Sequence, residues 1–250
     1  MIRTESVVKR HGSVIAVDDV TVEIGTGLTA IIGPNGAGKS TLLAAIGRLA
    51  SIDAGTITVD GLDVSTTKSR ALARRLAVLR QDNHLVIRLS VEDLVAYGRF
   101  PHGGSGRSAD DRARIEDAID MLDLHAVRGR FLDELSGGQR QRAFVAMALA
   151  QSTDHLLLDE PLNNLDPRHA VGLMKLIRSL ADERAMTIVV VLHDINVAAQ
   201  FADDVIAMRA GRVVHHGPVA DVITVPNLEA LYETPVRIGE IGDRRVVIWE

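Results

Sequence analysis

Gly33-Pro34-Asn35-Gly36-Ala37-Gly38-Lys39-Ser40-Thr41 lies between the apolar run 28–32 and a segment in which Leu42, Leu43, Ile46 and Leu49 recur at helical spacing. A glycine-rich turn of the form G-x-x-x-x-G-K-[ST] between a strand and a helix reads as a phosphate loop. Its glycines let backbone N–H groups approach phosphate oxygens, and the helix that follows adds positive potential beneath them. Lys39 is placed to reach the β- and γ-phosphates of a nucleotide. Ser40 would offer its hydroxyl to Mg²⁺, and Thr41 a further phosphate contact. The fold expected around such a loop is α/β.

Outward from the loop, residues 20–24, 28–32, 55–59 and 76–79 are short apolar runs bounded by turn residues, and they predict strands. The helix after the loop is predicted from Lys39 to about Leu49. From about residue 90 to 150 the pattern becomes helical, with Val91, Leu94 and Val95 in one segment and Ile115, Ile119 and Leu122 in another. Ser108-Ala109-Asp110-Asp111 caps the second segment, and the glycine-rich stretch 102–106 between them predicts a surface loop. Strand and helix then alternate again: 155–159, a helix opened by Asp166-Pro167, 188–192, a helix near 196–202, and 205–208. The tail from Gly211 adds β-like runs at 212–215, 236–241 and 244–248.

The 250 residues suffice for a large buried core, and 46% hydrophobic with 24% charged is an ordinary globular composition. A formal net charge of -5 with scattered basic residues argues against nucleic acid as a partner. The absence of cysteine excludes disulfides, thiolate metal sites and cysteine nucleophiles. Residues 1–10 contain no apolar export signal, so the mature chain is expected to start at or near Met1. The longest apolar runs fall well short of the roughly 20 residues of a membrane helix, so any membrane role is expected to go through partners.

Three further stretches carry chemistry. The run 155–158 ends in Asp159-Glu160, and acids at the carboxyl end of a buried parallel strand stand where α/β sheets bind ligands. Asp159 is placed to hold Mg²⁺, and Glu160 to orient or deprotonate water. The run 188–192 ends in His193 at the same predicted edge, a phosphate-contacting position. Leu135-Ser136-Gly137-Gly138-Gln139 has Ser136 as an N-cap and two glycines that leave helix N–H groups uncovered, a start that favours an anion. His215-His216, before Gly217-Pro218, reads as a solvated turn. Gln81 has no meaning by itself.

In this order and over nearly the whole chain, these motifs resemble the ATP-binding cassette subunit of ABC transporters. The resemblance implies a P-loop NTPase cassette with a mixed β-sheet core, an antiparallel β subdomain and a helical subdomain. It implies one cassette over 1–250: residues 1–86 and 151–250 as the catalytic core with its β subdomain, 87–150 as the helical subdomain that carries the signature. Residues 33–41 match the Walker A loop, and Gln81 the Q-loop that meets the metal and senses the γ-phosphate. Ser136, Gly137, Gly138 and Gln139 match the signature, Asp159 and Glu160 the Walker B acid and general base, Asp166 the D-loop and His193 the switch histidine. ATP and Mg²⁺ are the implied cofactors. In this family two cassettes pair head to tail, so Ser136 and Gly138 would contact the γ-phosphate held by the second copy. A transmembrane permease, an extracytoplasmic substrate-binding protein acting through it, and a peripheral location on the cytoplasmic face of the membrane are implied as well.

Two departures from the family pattern stand out. Where many members stack an aromatic ring on adenine, this chain has Arg10-His11-Gly12, so His11 would have to stack. The D-loop reads Pro161-Leu162-Asn163-Asn164-Leu165-Asp166 in place of the commoner Thr and Ser-Ala forms. Gln81-Asp82-Asn83-His84, residues 95–101, the D-loop just quoted and Leu192-His193-Asp194-Ile195-Asn196 resemble importers of ferric siderophores and related metal chelates. Tyr97 and Phe100 admit two readings, packing inside the helical subdomain or contact with the permease. The competing functions are a soluble ABC-type ATPase outside transport, and an importer of haem or cobalamin.

Overall fold

The structure is a computed structural model that describes residues 1–80, 88–103, 108–163, 165–242 and 244–250. In chain order it begins with β1 (Ile2–His11), β2 (Val14–Ile24), β3 (Gly27–Ile32), α1 (Lys39–Ile46), β4 (Ala54–Val59) and β5 (Leu62–Asp63). The middle holds α2 (Ser69–Ala73), β6 (Leu76–Leu79), α3 (Val91–Tyr97), α4 (Ala109–Met121), α5 (Gly137–Ala150), β7 (His155–Asp159) and α6 (Pro167–Arg184). Then come β8 (Thr187–Val191), α7 (Ile195–Phe201), β9 (Asp204–Arg209), β10 (Arg212–Pro218), α8 (Val219–Val222), α9 (Val225–Tyr232), β11 (Val236–Ile241) and β12 (Arg244–Trp249). The chain divides into two compact units, one of residues 1–67 and 178–250 and the other of 68–177.

In the first unit, β2-β1-β4-β5 is an antiparallel sheet, and β10-β9-β3-β8 lie side by side with β3 parallel to both β8 and β9. β8 is buried at every position and β3 at all but its first, as expected of parallel strands covered on both faces. β1 was not foreseen, because its buried Ile2, Thr4 and Val7 are spaced among Arg3, Glu5, Lys9 and Arg10. Its polar face is built by pairs such as Arg3 with Glu23 across to β2. Two expectations need correction. α1 stops at Ile46, where Gly47 N–H bonds Leu43 O and Arg48 turns to φ 56°, so Leu49 is 49% exposed and does not extend the buried helix face. His215 and His216 do not form a turn; within β10 they pair with Ala207 and Ile206 of β9, and the reversal between the two strands falls at Ala210-Gly211.

In the second unit β6 and β7 pair in parallel, and α3, α4 and α5 pack on one another. Each of these helices begins on a serine cap: Ser90 accepts from Asp93 N–H, Ser108 from Asp111 N–H and Ser136 from Gln139 N–H. α3 meets α5 at Gly98, where a Cβ would stand 2.1 Å from Met147 O. The next residue, Arg99, is 3% exposed; its Nε donates to Asp111 Oδ1 at 2.7 Å, Nη1 to Ala150 O at 2.9 Å and Nη2 to Asp110 Oδ2 at 3.2 Å. The guanidinium thereby ties α4 to the end of α5. Tyr97 and Phe100 of this unit are 54% and 74% exposed.

Breaking that buried pair leaves Asp111 without its cation. Arg99→Met should lower unfolding stability by about 3–5 kcal/mol, read from the urea midpoint. The Ser108 hydroxyl and then Arg99 hold the Asp111 carboxyl below its ordinary range. A group whose folded value is depressed adds stability that is full above its unfolded value and is lost as pH falls through the folded one. The Asp111 contribution should therefore persist above about pH 4 and fade in more acidic solution.

Candidate nucleotide site

The first unit supplies the phosphate loop and the histidine. β3 and β8 run in parallel with Ile31 opposite Val191, and Leu192 N–H donates to Ile31 O at 3.1 Å. Gly33 and His193 therefore leave neighbouring strands at one carboxyl edge, where such sheets bind ligands. Gly33 and Gly38 have φ of 144° and 99°, and a Cβ on either would stand 2.1 Å from a backbone oxygen, Met208 O or Ala16 O. Gly38 caps α1 without a side-chain hydrogen bond, which leaves the first helix N–H groups uncovered. Asn35 and Gly36 form the exposed crest, Pro34, Ser40 and Thr41 are half-buried, and Ala37 is buried.

Lys39 is buried inside its own loop, where Nζ donates to Gly33 O at 2.8 Å and Pro34 O at 3.0 Å. The ammonium is thus held beneath the crest by carbonyls of the chain that wraps it. His193 is exposed, and Asp194 beside it caps α7 by accepting from Asn196 N–H at 2.8 Å. His11 is the exposed last residue of β1, opposite Val14 in the β1–β2 turn.

The second unit carries the acids and the signature. β7 is buried throughout and ends in Asp159 and Glu160, 8% and 9% exposed. Glu160 adopts φ 49°, a left-handed turn uncommon outside glycine and asparagine. Its Oε2 accepts from Asn163 Nδ2 at 2.6 Å, so the unusual D-loop grips the carboxylate directly. Asp166 accepts from His169 N–H at 2.9 Å and pairs with His169 Nδ1 at 2.7 Å; the backbone bond first and the ring second hold its carboxyl low.

Ser136 and Gln139 form a capping box: Ser136 Oγ accepts from Gln139 N–H at 3.3 Å and Gln139 Oε1 from Ser136 N–H at 3.1 Å. Gln139 therefore has a role inside its own helix start. Ser136 and Gly137 are exposed, and a Cβ on half-buried Gly138 would stand 3.4 Å from Leu165 Cδ2 of the D-loop. Gln81 lies outside the described residues, as does Asn164. Asn163 was not foreseen as a partner of Glu160; its place in an atypical D-loop was the signal that could have pointed to it.

A phosphate loop and a histidine at the carboxyl edge of a parallel sheet, with an acid pair ending another buried parallel strand, define a P-loop nucleotide-binding protein. A family model described as ABC transporter matches residues 17–163. The petrobactin import ATP-binding protein YclP of Bacillus subtilis (strain 168) is 41% identical over 250 residues, spanning 100% of this chain and 99% of that protein. The petrobactin import ATP-binding protein FatE of Bacillus anthracis is 46% identical over 239 residues, spanning 95% and 96%. The dimeric structure of MJ0796, a bacterial ABC transporter cassette, superposes with a TM-score of 0.80 at 29% identity and covers 88% of this chain and 99% of its own. The chain belongs to the ABC transporter family as an ATP-binding cassette, and it is an ATPase.

Proposed function

We propose that this cassette hydrolyses ATP to drive a membrane permease that imports a ferric siderophore or a related iron chelate. The observation that carries the cargo is the pair of near full-length relatives at 41% and 46% identity, both named for petrobactin import. On this reading residues 1–250 form one cassette, and 87–150 carry the signature toward a second copy. The dimeric form of MJ0796 supports such a pairing. Among the described residues no helix is long and apolar enough to cross a membrane. The permease would hold the cassette at the cytoplasmic face, and an extracytoplasmic binding protein would deliver the chelate.

The proposed chemistry is positioning and charge stabilisation, because phosphoryl transfer asks little covalent work of the protein. Lys39 and the backbone of residues 33–41 hold the phosphates, and His11 stacks on the base. Glu160 accepts the proton of the attacking water, and His193 and Gln81 contact the γ-phosphate. Asp166 lies on the face toward the second copy. The Ser40 hydroxyl and the Asp159 carboxylate are hard oxygen donors, which fits Mg²⁺; Gln81 joins them by resemblance. When bound, Mg²⁺ neutralises charge on the β- and γ-phosphates.

Ser136 and Gly138 are proposed to complete the site of the second copy. Ser136→Arg should leave ATP affinity within about twofold and reduce turnover about a hundredfold, the scale of losing aimed donors. Nucleotide titration beside phosphate release checks this; turnover like the parent would mean the signature does not act across the dimer. The cargo is tested by purifying the chain with its membrane partners and identifying the permease and receptor. That receptor is then titrated with ferric siderophores, haem and cobalamin. Saturable binding of a ferric siderophore alone is expected, and preference for haem or cobalamin would move the cargo there.

A further inference from the structure

The C-terminal segment from α9 onward belongs to the same unit as the phosphate loop and His193, and it touches the surroundings of both. At one end, β12 packs on α7 through a paired contact. Asn196 Nδ2 donates to Val247 O at 3.2 Å and Val247 N–H donates to Asn196 Oδ1 at 2.7 Å. The side-chain amide thus pairs with a strand residue as a neighbouring strand would. Asn196 is the second residue of α7, three after His193, and its own N–H is held by Asp194. At the other end, Tyr232 closes α9. Its Oη is buried with no hydrogen bond of ordinary geometry among the described residues, and the Gly33 N–H is a polar group that faces it. Burial pushes the phenol up to about 12, so it stays a neutral O–H at every working pH.

One ring contact joins the two ends. Trp249, the last residue of β12, meets Tyr232 edge-on at 5.2 Å and 71°. Register bonds lock the hairpin between them, with Val236 opposite Trp249, Glu250 N–H on Pro235 O and Val236 N–H on Glu229 Oε1. Arg209 of β9 fastens the end of α9 through Ala230 O and Glu233. A buried hydroxyl left without an ordinary hydrogen bond opposes folding, and one kept beside the phosphate loop calls for an explanation.

We propose that this segment is a brace between the phosphate loop and the His193 helix, with Asn196 and Tyr232 as positioning residues for ATP hydrolysis. It rests on the reading that these two segments act on ATP. Asn196 sets where α7 starts, and therefore where His193 stands. Tyr232 bears on Gly33, the hinge from β3 into the loop, so loop movement on ATP binding reaches Trp249 and β12. Trp249 is the one tryptophan of the chain, so its emission reports on the brace directly.

The test uses the full chain. Asn196→Ala is expected to lower kcat about tenfold while KM for ATP and the melting temperature stay near the parent's, since a displaced catalytic group costs rate more than binding. Asn196→Asp keeps the acceptor for Val247 N–H and should fall between the two, which separates positioning from a folding defect. In the parent, ATP should change Trp249 emission, and Tyr232→Phe should diminish that change. Turnover of Asn196→Ala within twofold of the parent, or an emission indifferent to ATP, would overturn the brace. His193→Ala run in parallel separates the failures: parental turnover there removes the histidine reading, whereas the emission response still judges the brace.

Discussion

Glu160→Gln should lower steady-state ATP turnover about a thousandfold, within the range by which a positioned base accelerates proton transfer. ATP affinity should stay within about twofold, because the loop proposed to hold the phosphates is on other residues. The substitution is close to isosteric, and Gln can present its amide oxygen to Asn163 Nδ2, so the contact at 2.6 Å has a substitute. Glu160 is almost fully buried, and a neutral side chain there is no harder to bury than the carboxylate. The left-handed turn at φ 49° is no worse for Gln than for Glu. What disappears is an acceptor for the water's proton. With hydrolysis blocked and binding intact, a dimer held together by ATP should accumulate. Phosphate release, nucleotide titration and gel filtration with ATP read the three parts. Parental turnover would remove Glu160 from the base role.

Asn163 extends that experiment without repeating it. Asn163→Ala removes the Asn163 Nδ2 donor to Glu160 Oε2 and leaves the carboxylate in place, so rate should fall by much less than with Glu160→Gln. The order of the two effects distinguishes a group that takes the proton from one that aims it.

The parts of the site that were legible are those whose chemistry dictates local spacing. Wrapping a phosphate requires glycines, a lysine and a hydroxyl within nine consecutive residues, and the structure puts 33–41 between β3 and α1 as that spacing required. The buried strands leading to Asp159 and His193 were legible for a related reason, since short unbroken apolar runs bounded by turns fit parallel strands covered on both faces. What escaped depends on partners distant in the chain. Residues 95–101 resembled a family feature, yet Gly98 is fixed by Met147 and Arg99 by Asp111 and Ala150. Asn196 pairs with a strand 51 residues away. β1 alternates so much charge with its buried positions that no apolar run marks it. The end of α1 was missed because a left-handed Arg48 stops the helix where periodicity would have continued it to Leu49.

Gly38→Ala should abolish measurable ATP binding, weakening it at least about a hundredfold, and should also lower the melting temperature. Two costs combine. The first is conformational: φ 99° with ψ 3° lies outside the regions an L side chain occupies readily, a penalty of about 1–3 kcal/mol. The second is steric and cannot be relieved by rotating a side chain, because the added Cβ would stand 2.1 Å from Ala16 O, a backbone atom of β2. Neither segment can yield alone. Asp18 N–H bonds Gly211 O at 2.8 Å and Gly211 N–H bonds Ala37 O at 3.0 Å, so β2, the β9–β10 turn and the loop form one bonded set. A shift large enough to admit the methyl group would tilt the N–H groups of the loop and the start of α1 away from the phosphates. Gly61→Ala separates the two costs, since Gly61 has φ 77° in the β4–β5 turn and a Cβ there would meet nothing within 4 Å among the described residues. That variant should lose about 1 kcal/mol of stability and bind ATP like the parent. Nucleotide titration and thermal unfolding of both variants decide the matter. ATP affinity of Gly38→Ala within twofold of the parent would mean that the close approach to β2 does not hold the phosphate loop in its binding shape.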